Sequence, residues 1–596
     1  MCGIVGYIGR DKALPRLIQG LKKLEYRGYD SAGVAYLDDD KIKVIKSIGR
    51  VSKLESKLDL STLTNMGIGH TRWATHGKVT DINSHPHSVG DITIVHNGII
   101  ENYQELRTML IENGYEFKGD TDTEVATGLI DYYYKENNDV MESLNKCLDT
   151  FVGSYAILVM VKGIDNKLFV LKKDSPIVVM HGDDGNYIAS DVLAFAKDVN
   201  DYFPLDDKMI GIISCNDITI YRDGLEVDAK YLDVDINNSD SDLGTFSHYM
   251  LKEIFEQKDL VRVWYDNYFV KGDIWKLPDI SKYTRVQIVG CGTAYHAGCV
   301  GKYLLERYSN VEVNVFIASE YRYQKLFVDN NTLVIFISQS GETADTLACI
   351  KKVKEYGAST LGIVNVENSS IARLVDEVIY TKALSEVAVA STKAYTAQLY
   401  VISMLALKMG IDNGVFSLDE VKNTYRELDI LIDKALKIDY DAYVNLIYDK
   451  EHMFCLGRNI DYVTMLEGSL KLKEISYIHS EAYHAGELKH GTISLIDDNS
   501  VVMVMATLEE LIGKTISNIK EIKARGARVI LFIRSDLATD IDSECYDEII
   551  LIPKTSYLMQ PIVNTIYLQL IAYYVALKLD RDIDKPRNLA KSVTVE

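Results

Sequence analysis

Short apolar or alternating runs bounded by Gly, Asp and Asn recur through the first part of the chain, at 4–8, 32–36, 41–45, 66–70 and 92–96. Period-two patterning of that length predicts strands with one face buried. Apolar residues at helical spacing predict helices over 103–113 and 124–134, and further strands follow at 155–161, 168–171 and 188–190. The mixture predicts an α+β domain with mainly antiparallel strands. The polar stretch 233–244, with Asn237, Asn238, Ser239 and Ser241, is the best linker candidate.

From about residue 285 the chain alternates apolar strand, glycine-bearing loop and helix, which predicts βαβ units and a parallel sheet. An internal repeat supports this. VIFIS at 334–338, KKVKEYGA from Lys351 and LGIV from Leu361 return at an offset of 168–169 residues, as 503–507, KEIKARGA from Lys520 and VILF from Val529. QIVGCG, ending at Gly292, has a weaker echo in MFCLGRN, ending at Asn459. Two diverged copies of one α/β fold are the economical reading. The loop SQSGET of the first copy has become TLEELI in the second, so the copies no longer share one binding chemistry. The expected division is 1–232, a linker at 233–245, α/β copies at 246–435 and 436–580, and a tail at 581–596.

Composition narrows the function. The 596 residues are 47% hydrophobic and 25% charged, enough chain for several full cores without a disulfide or metal staple. Sixty-five Lys plus Arg against 86 Asp plus Glu give a net charge of −21, which argues against a nucleic-acid partner. Eight cysteines without a CxxC pair do not form a disulfide framework or a zinc site. The start, Met1-Cys2-Gly3, lacks the basic and apolar segments of a signal peptide. The longest uncharged run, 555–577, contains Gln560, Pro561, Asn564 and Gln569 and reads as a buried helix. A soluble cytoplasmic chain with no membrane partner is expected.

Cys2 follows the initiator Met, and removal of Met1 leaves a thiol and an α-amine on one residue. That amine, with an ordinary pKa of roughly 7.7–8, can act as base for its own thiol, which would attack a carbonyl and form a thioester. Five ordered motifs surround this possibility: CGIVG at 2–6, LEYRGYDSAG at 24–33, HTRWATHG at 70–77, HNGIIENY at 96–103 and GDTDTE at 119–124. Together they resemble a class II glutamine amidotransferase, an N-terminal-nucleophile hydrolase domain covering about the first 240 residues. That family implies a four-layer fold with antiparallel sheets between helices. Each motif has residue types that suit glutamine. Arg72 offers a bidentate fork for the α-carboxylate, and Asp122 a negative charge for the α-ammonium. Asn97, with the backbone N–H of Gly98, can donate to a developing oxyanion. The resemblance adds Arg27, Thr75 and His76 around the glutamine and places Trp73 at an ammonia route as a gate.

In the second half, Ser338, Gln339, Ser340 and Thr343 gather hydroxyls and an amide where a strand turns into a helix, and free N–H groups there favour an anion. No Lys follows and the glycine spacing fits neither a Walker loop nor GxGxxG, so phosphate would be a handle and not a transferred group. With CGTAY at 291–295 and VASTKAYT at 389–396, the loop resembles the sugar isomerase (SIS) domain, whose parallel sheet is flavodoxin-like. The resemblance implies sugar-phosphate contacts from Cys291, Thr293, Val389, Ser391 and Ala590. Ala294 stands where that family commonly has a hydroxyl, which removes one hydrogen bond.

Converting a ketose phosphate to an amino aldose needs a proton carrier between C1 and C2 and a group that opens the ring. Lys471 and Glu474, three apart in a helical pattern, share a face and can tune one another. By resemblance Glu474 is the C1–C2 base with Lys471 beside it. His490 is the ring-opening acid/base from a neighbouring subunit, implying at least a dimer, and Lys591 forms a Schiff base with the open-chain ketone. Joined, the two halves resemble a family of isomerising amidotransferases that convert D-fructose 6-phosphate and L-glutamine to D-glucosamine 6-phosphate and L-glutamate. No metal or organic cofactor is expected. Asparagine synthetase, glutamate synthase and phosphoribosyl amidotransferases share the N-terminal motifs, but no SGGxDS loop, cluster cysteines or flavin motif follows here. A sugar-phosphate-sensing regulator is disfavoured by Cys2, Glu474, His490 and Lys591 standing together in matching contexts.

Overall fold

The computed structural model describes every residue except 1, 40, 75–76, 235–241, 540 and 595–596. The chain divides into two compact units, Met1–Asp240 with Ser592–Glu596, and Ser241–Lys591. Most of the 233–244 linker candidate, and both Thr75 and His76, lie outside the described residues.

Among the described residues the first unit holds an eight-stranded and a seven-stranded sheet. In the eight-stranded sheet Gly3–Gly9 runs antiparallel between Met66–Arg72 and Gly185–Ala189. In the other, Ile92–Ile100 lies antiparallel beside Gly153–Val161. Strand alternation builds the layers. Val5 and Tyr7 face Leu14, Leu17 and Leu21 of the helix Ala13–Leu24. Ile4 and Ile8 face the opposite way, into an apolar layer shared with Val95 and Leu158 of the second sheet. That sheet's outer face, with Ile94 and Ile157, is covered by Val125 and Leu129 of the helix Asp122–Asn137. The result is four layers, helices outside and sheets inside. Strands that sequence reading missed, Val178–Gly182 and Met209–Ile213 among them, complete the two sheets.

Among its described residues the second unit contains two five-stranded sheets, wholly parallel and alike in order. In the first copy the order is Glu312–Ile317, Arg285–Gly290, Thr332–Ser338, Ser359–Val364, Glu377–Tyr380. In the second it is His479–His484, His452–Gly457, Val501–Ala506, Arg528–Arg534, Glu548–Ile552. This 2-1-3-4-5 order is flavodoxin-like, and its strand-order reversal opens a crevice at the carboxyl ends of the first and third strands. One apolar core runs through both copies and includes the long helices Lys393–Asp412 and Gln560–Lys578. The uncharged run at 555–577 is therefore largely this second helix, buried along most of its length. Among the described residues one helix, Lys393–Asp412, is long and apolar enough to cross a membrane, and 89% of its apolar window is buried in the core. Beyond the last helix the tail turns back: Asp584 accepts from the N–H groups of Tyr249 and Met250 at 2.9 Å, capping the helix Tyr249–Tyr265.

Candidate active sites

Cys2 immediately precedes the strand Gly3–Gly9 of the first unit, where the register sets Gly3 opposite Thr71. Its Sγ therefore lies beside the end of the neighbouring strand and accepts from the Trp73 N–H at 3.2 Å. Burial pushes the thiol pKa up, while the Trp73 hydrogen bond and the Arg72 charge pull it down. Asn97 reaches across from the second sheet and donates Nδ2–H to the Cys2 carbonyl at 3.0 Å. Its Oδ1 is fixed by His70 Nε2 at 3.1 Å, and the same nitrogen faces the His96 carbonyl at 3.0 Å. Two oxygen acceptors mean that Nε2 carries the proton. His70 is fully buried and stacked on His85 at 4.0 Å, and burial lowers its pKa to about 3, so it stays neutral. Sequence reading quoted His70 within a motif without assigning it this orienting part. Gly98 must be glycine: its φ is +123°, and a Cβ would meet the Ser154 carbonyl at 2.0 Å.

Arg72 is buried at the end of its strand and donates to the carbonyls of Gly77 and Lys78, both at 3.3 Å. Asp122 sits at the start of its helix and accepts from the Ile100 N–H at 2.9 Å. Asp122 and Asp30 both act electrostatically on Arg72, so cation and carboxylate share one buried region. Arg27 is engaged differently. Its Nη2 pairs with Asp191 at 2.5 Å and its Nε donates to Tyr26 Oη at 3.1 Å. Arg27 Nη1 remains buried without a partner among the described residues. Trp73 is half-buried, edge-on to Tyr29 with ring centroids 6.2 Å apart.

In the second unit the hydroxyl loop follows Thr332–Ser338. Ser338 Oγ lies 3.0 Å from Thr343 Oγ1 and accepts from the Gly341 N–H at 3.1 Å. Gly341 has φ +67°, and a Cβ there would press within 2.0 Å of Ser369 Oγ. Gln339, Ser340 and Thr343 are half-buried along the loop, ahead of the helix Ala344–Glu355. Cys291 is also half-buried and its thiol is held up by burial. Thr293 opens the helix Thr293–Ser309, but its hydroxyl donates to Glu467 at 3.0 Å and accepts from Lys471 at 3.3 Å, joining it to the second copy.

Lys471 is buried between two carboxylates on its own helix, Ile460–Ser476: Glu474 at 2.6 Å and Glu467 at 3.3 Å. Burial opposes its charge, yet these carboxylates outweigh burial and keep Lys471 an ammonium. Glu467 also meets His296 Nδ1 at 2.8 Å. Burial raises the Glu474 pKa, with Lys471 opposing and Glu467 adding. A carboxyl so placed can accept and return a proton.

The tail lysine is no solvated terminus. Lys591 Nζ donates to Glu386 and, at 2.8 Å, to the Ala388 carbonyl, with its side chain 5% exposed. Glu386 also accepts from the N–H groups of Thr392 at 2.9 Å and Ala394 at 3.0 Å and from Ser391 Oγ at 2.9 Å. Burial would raise its pKa, but Lys591 and these donors outweigh burial and keep it ionised. Val389 and Ala590 flank this grip, buried and half-buried. Glu386 was absent from the sequence-derived set. His490 stands apart, exposed on the turn Leu488–His490.

A thiol at the head of a four-layer αββα unit, followed by a duplicated parallel-sheet unit with a hydroxyl loop and buried lysines, defines a glutamine amidotransferase joined to a sugar isomerase pair. The family comparisons agree: the glutamine amidotransferase domain family matches residues 70–197, and the SIS domain family matches 279–408 and 446–579. The glutamine–fructose-6-phosphate aminotransferase [isomerizing] of Clostridium tetani is 46% identical over 612 residues, covering the whole of both chains. That of Pyrococcus horikoshii is 42% identical over 611 residues, again over the whole of both. The solved C-terminal domain of glucosamine-fructose-6-phosphate aminotransferase from Francisella tularensis is 37% identical with a TM-score of 0.54, covering 58% of this chain and 100% of that one. This chain belongs to the glutamine–fructose-6-phosphate aminotransferase (isomerizing) family.

Proposed function

We propose that the chain converts D-fructose 6-phosphate and L-glutamine to D-glucosamine 6-phosphate and L-glutamate. In the first unit Cys2 attacks the glutamine amide, Asn97 and the Gly98 N–H stabilise the oxyanion, and ammonia leaves as a thioester forms. Water then releases glutamate. Arg72 and Asp122, with Arg27, Thr75 and His76, hold the amino-acid end, and Trp73 gates the ammonia on its way to the sugar.

In the second unit the phosphate rests on the 338–343 loop, with Cys291, Thr293, Val389, Ser391 and Ala590 around the sugar. His490 of a second subunit opens the ring, making the working form a homodimer. Lys591 Nζ attacks the C2 ketone, the carbonyl oxygen departs as water and an imine forms. Ammonia attacks the same carbon, displacing the lysine amine and leaving a sugar imine. Glu474 removes a proton from C1 as the imine nitrogen takes one, giving an enolamine, and then returns a proton to C2 as the C1 hydroxyl gives one up, yielding the amino aldose, while Lys471 keeps Glu474 poised. The copy at 246–435 thus serves as binder, that at 436–580 as proton carrier and the tail 581–596 as closure, in a cytoplasmic enzyme.

The observation that carries this reading is the grip of Glu386 and the Ala388 carbonyl on Lys591, since a lysine near a free chain end is otherwise solvated. The test is product formation by two variants. Cys2→Ala should abolish synthesis from glutamine yet keep synthesis from concentrated ammonia, and Lys591→Ala should lose both. Glutamine-dependent synthesis surviving Cys2→Ala would refute the nucleophile assignment.

A further inference from the structure

Behind the grip on Lys591 lies a carboxyl with no part in the steps above. Glu253, on the helix Tyr249–Tyr265, is 2% exposed. Its Oε1 accepts two backbone donors, the Val387 N–H at 2.5 Å and the Ala388 N–H at 3.2 Å. Those residues directly follow Glu386, and Ala388 supplies the carbonyl that holds Lys591. The next residue, Val389, donates to the Asp584 carbonyl of the tail at 3.0 Å. One short segment is thus pinned from behind by Glu253 and from the front by the tail.

The other oxygen, Glu253 Oε2, is buried with no hydrogen-bond partner among the described residues. A carboxylate oxygen left so, away from water and without a donor, is costly, and the group takes up a proton instead. The neighbouring charges agree. Glu386 pairs with Lys591, Lys393 at 2.6 Å and Lys252 at 3.4 Å both pair with Glu256, the Asp584 carboxylate holds the first N–H groups of the helix, and Tyr249 is a further titratable neighbour. With Glu253 neutral these charges cancel, and with Glu253 ionised the pocket carries one excess negative charge.

We infer that Glu253 is a positioning residue for imine formation: as a neutral carboxyl it holds the backbone that grips Lys591, and its ionisation tightens that grip on the ammonium and withholds the free amine. Burial, with Glu386 adding, pushes its pKa up to about 8, against the pull of Lys591 and Lys393. A negative charge then grows beside the Lys591 grip through the alkaline range. The inference rests on Lys591 being the imine-forming amine.

Both readings are separable by borohydride trapping of the fructose 6-phosphate imine on the full-length enzyme, read as a mass increment on the Lys591 peptide across neutral to alkaline pH. Glu253→Gln keeps the shape and the acceptor for Val387 and Ala388 but does not ionise. Its trapping midpoint should fall about one pH unit below that of the wild type. A purely structural Glu253 would leave the midpoint unmoved, and that result overturns the inference. Wild-type enzyme gives a second check should the variant not fold. Trapping should rise with pH by clearly less than the roughly tenfold per unit of a lone amine as Glu253 ionises, and a full single-proton slope overturns the inference. Absence of label on Lys591 in the wild type overturns the imine reading and the inference with it, whereas label with an unmoved midpoint removes the inference alone.

Discussion

The two parallel-sheet copies share strand order and helix placement, yet each has given up what the other keeps. In the first, Ser338 ends its strand and its loop presents half-buried hydroxyls. In the second, Thr507 stands at the same point, and its N–H and hydroxyl are both taken by Asp461, at 2.8 and 2.5 Å. Asp461 is the second residue of its helix, as Ala294 is of the corresponding helix in the first copy. A methyl leaves the first cradle open, and a carboxylate fills the second. The reverse holds along those same helices. Where the second carries Glu467, Lys471 and Glu474, the first carries Val300, Leu304 and Arg307, the first two of them buried core. On the proposed reading, one copy holds the anion and the other moves protons, so that neither has to keep both at one sheet end.

The largest expected effect tests the second copy's side of that division. Glu474→Gln keeps volume and removes the proton carrier, so glucosamine 6-phosphate formation from ammonia should fall about 10²–10⁴-fold. Glutamine hydrolysis at Cys2 should hold within about twofold. Synthesis that survives the change would return the proton chemistry to some other group. The next effect tests the first copy. Gly341→Ala must place a Cβ against Ser369 Oγ at φ +67°, which distorts the loop. The KM for fructose 6-phosphate should rise about tenfold to a hundredfold, since a hydrogen bond to a charged group is worth ~1.5–3 kcal/mol. A matching fall in kcat with KM unchanged would mean that the loop does not hold the phosphate.

Much of this asymmetry is legible in the chain itself. The repeat shows in the spacing of apolar strands and helix surfaces, and SQSGET against TLEELI announces that one loop has changed. The missing hydroxyl at Ala294 is equally plain. What fills the opposite cradle is not, because Asp461 and Thr507 lie 46 residues apart and neither belongs to a local pattern. The same distance problem hides the carboxylates around the tail. Glu386 is 205 residues from Lys591, and Glu253 is 134 from Val387. Arg27 enters through the motif LEYRGYDSAG and the resemblance it carries, but its pairing with Asp191, 164 residues on, appears only in the fold. Local chemistry is written in the motifs, whereas the groups that set its charge come from wherever the fold returns the chain.

The smallest effect sharpens the comparison most, because it concerns a residue with no part in the reaction. Burial pushes the Asp461 carboxyl from its ordinary 3.8 up to about 6, although the Thr507 donors pull the other way. A raised carboxyl favours the folded state while protonated, so this stability is fully present below 3.8 and is lost as pH rises through about 6. The loss amounts to ~3 kcal/mol, and Asp461→Asn, which does not ionise, escapes it. The stability of the Asn variant relative to wild type should therefore improve steadily across that window, as read by thermal melts at its two ends. The KM for fructose 6-phosphate should stay within about twofold, because the proposed phosphate loop belongs to the other copy. A stability difference that ignores pH would mean that Asp461 is not an ionising carboxylate in the second cradle, and a rise in KM would mean that the two cradles are not independent.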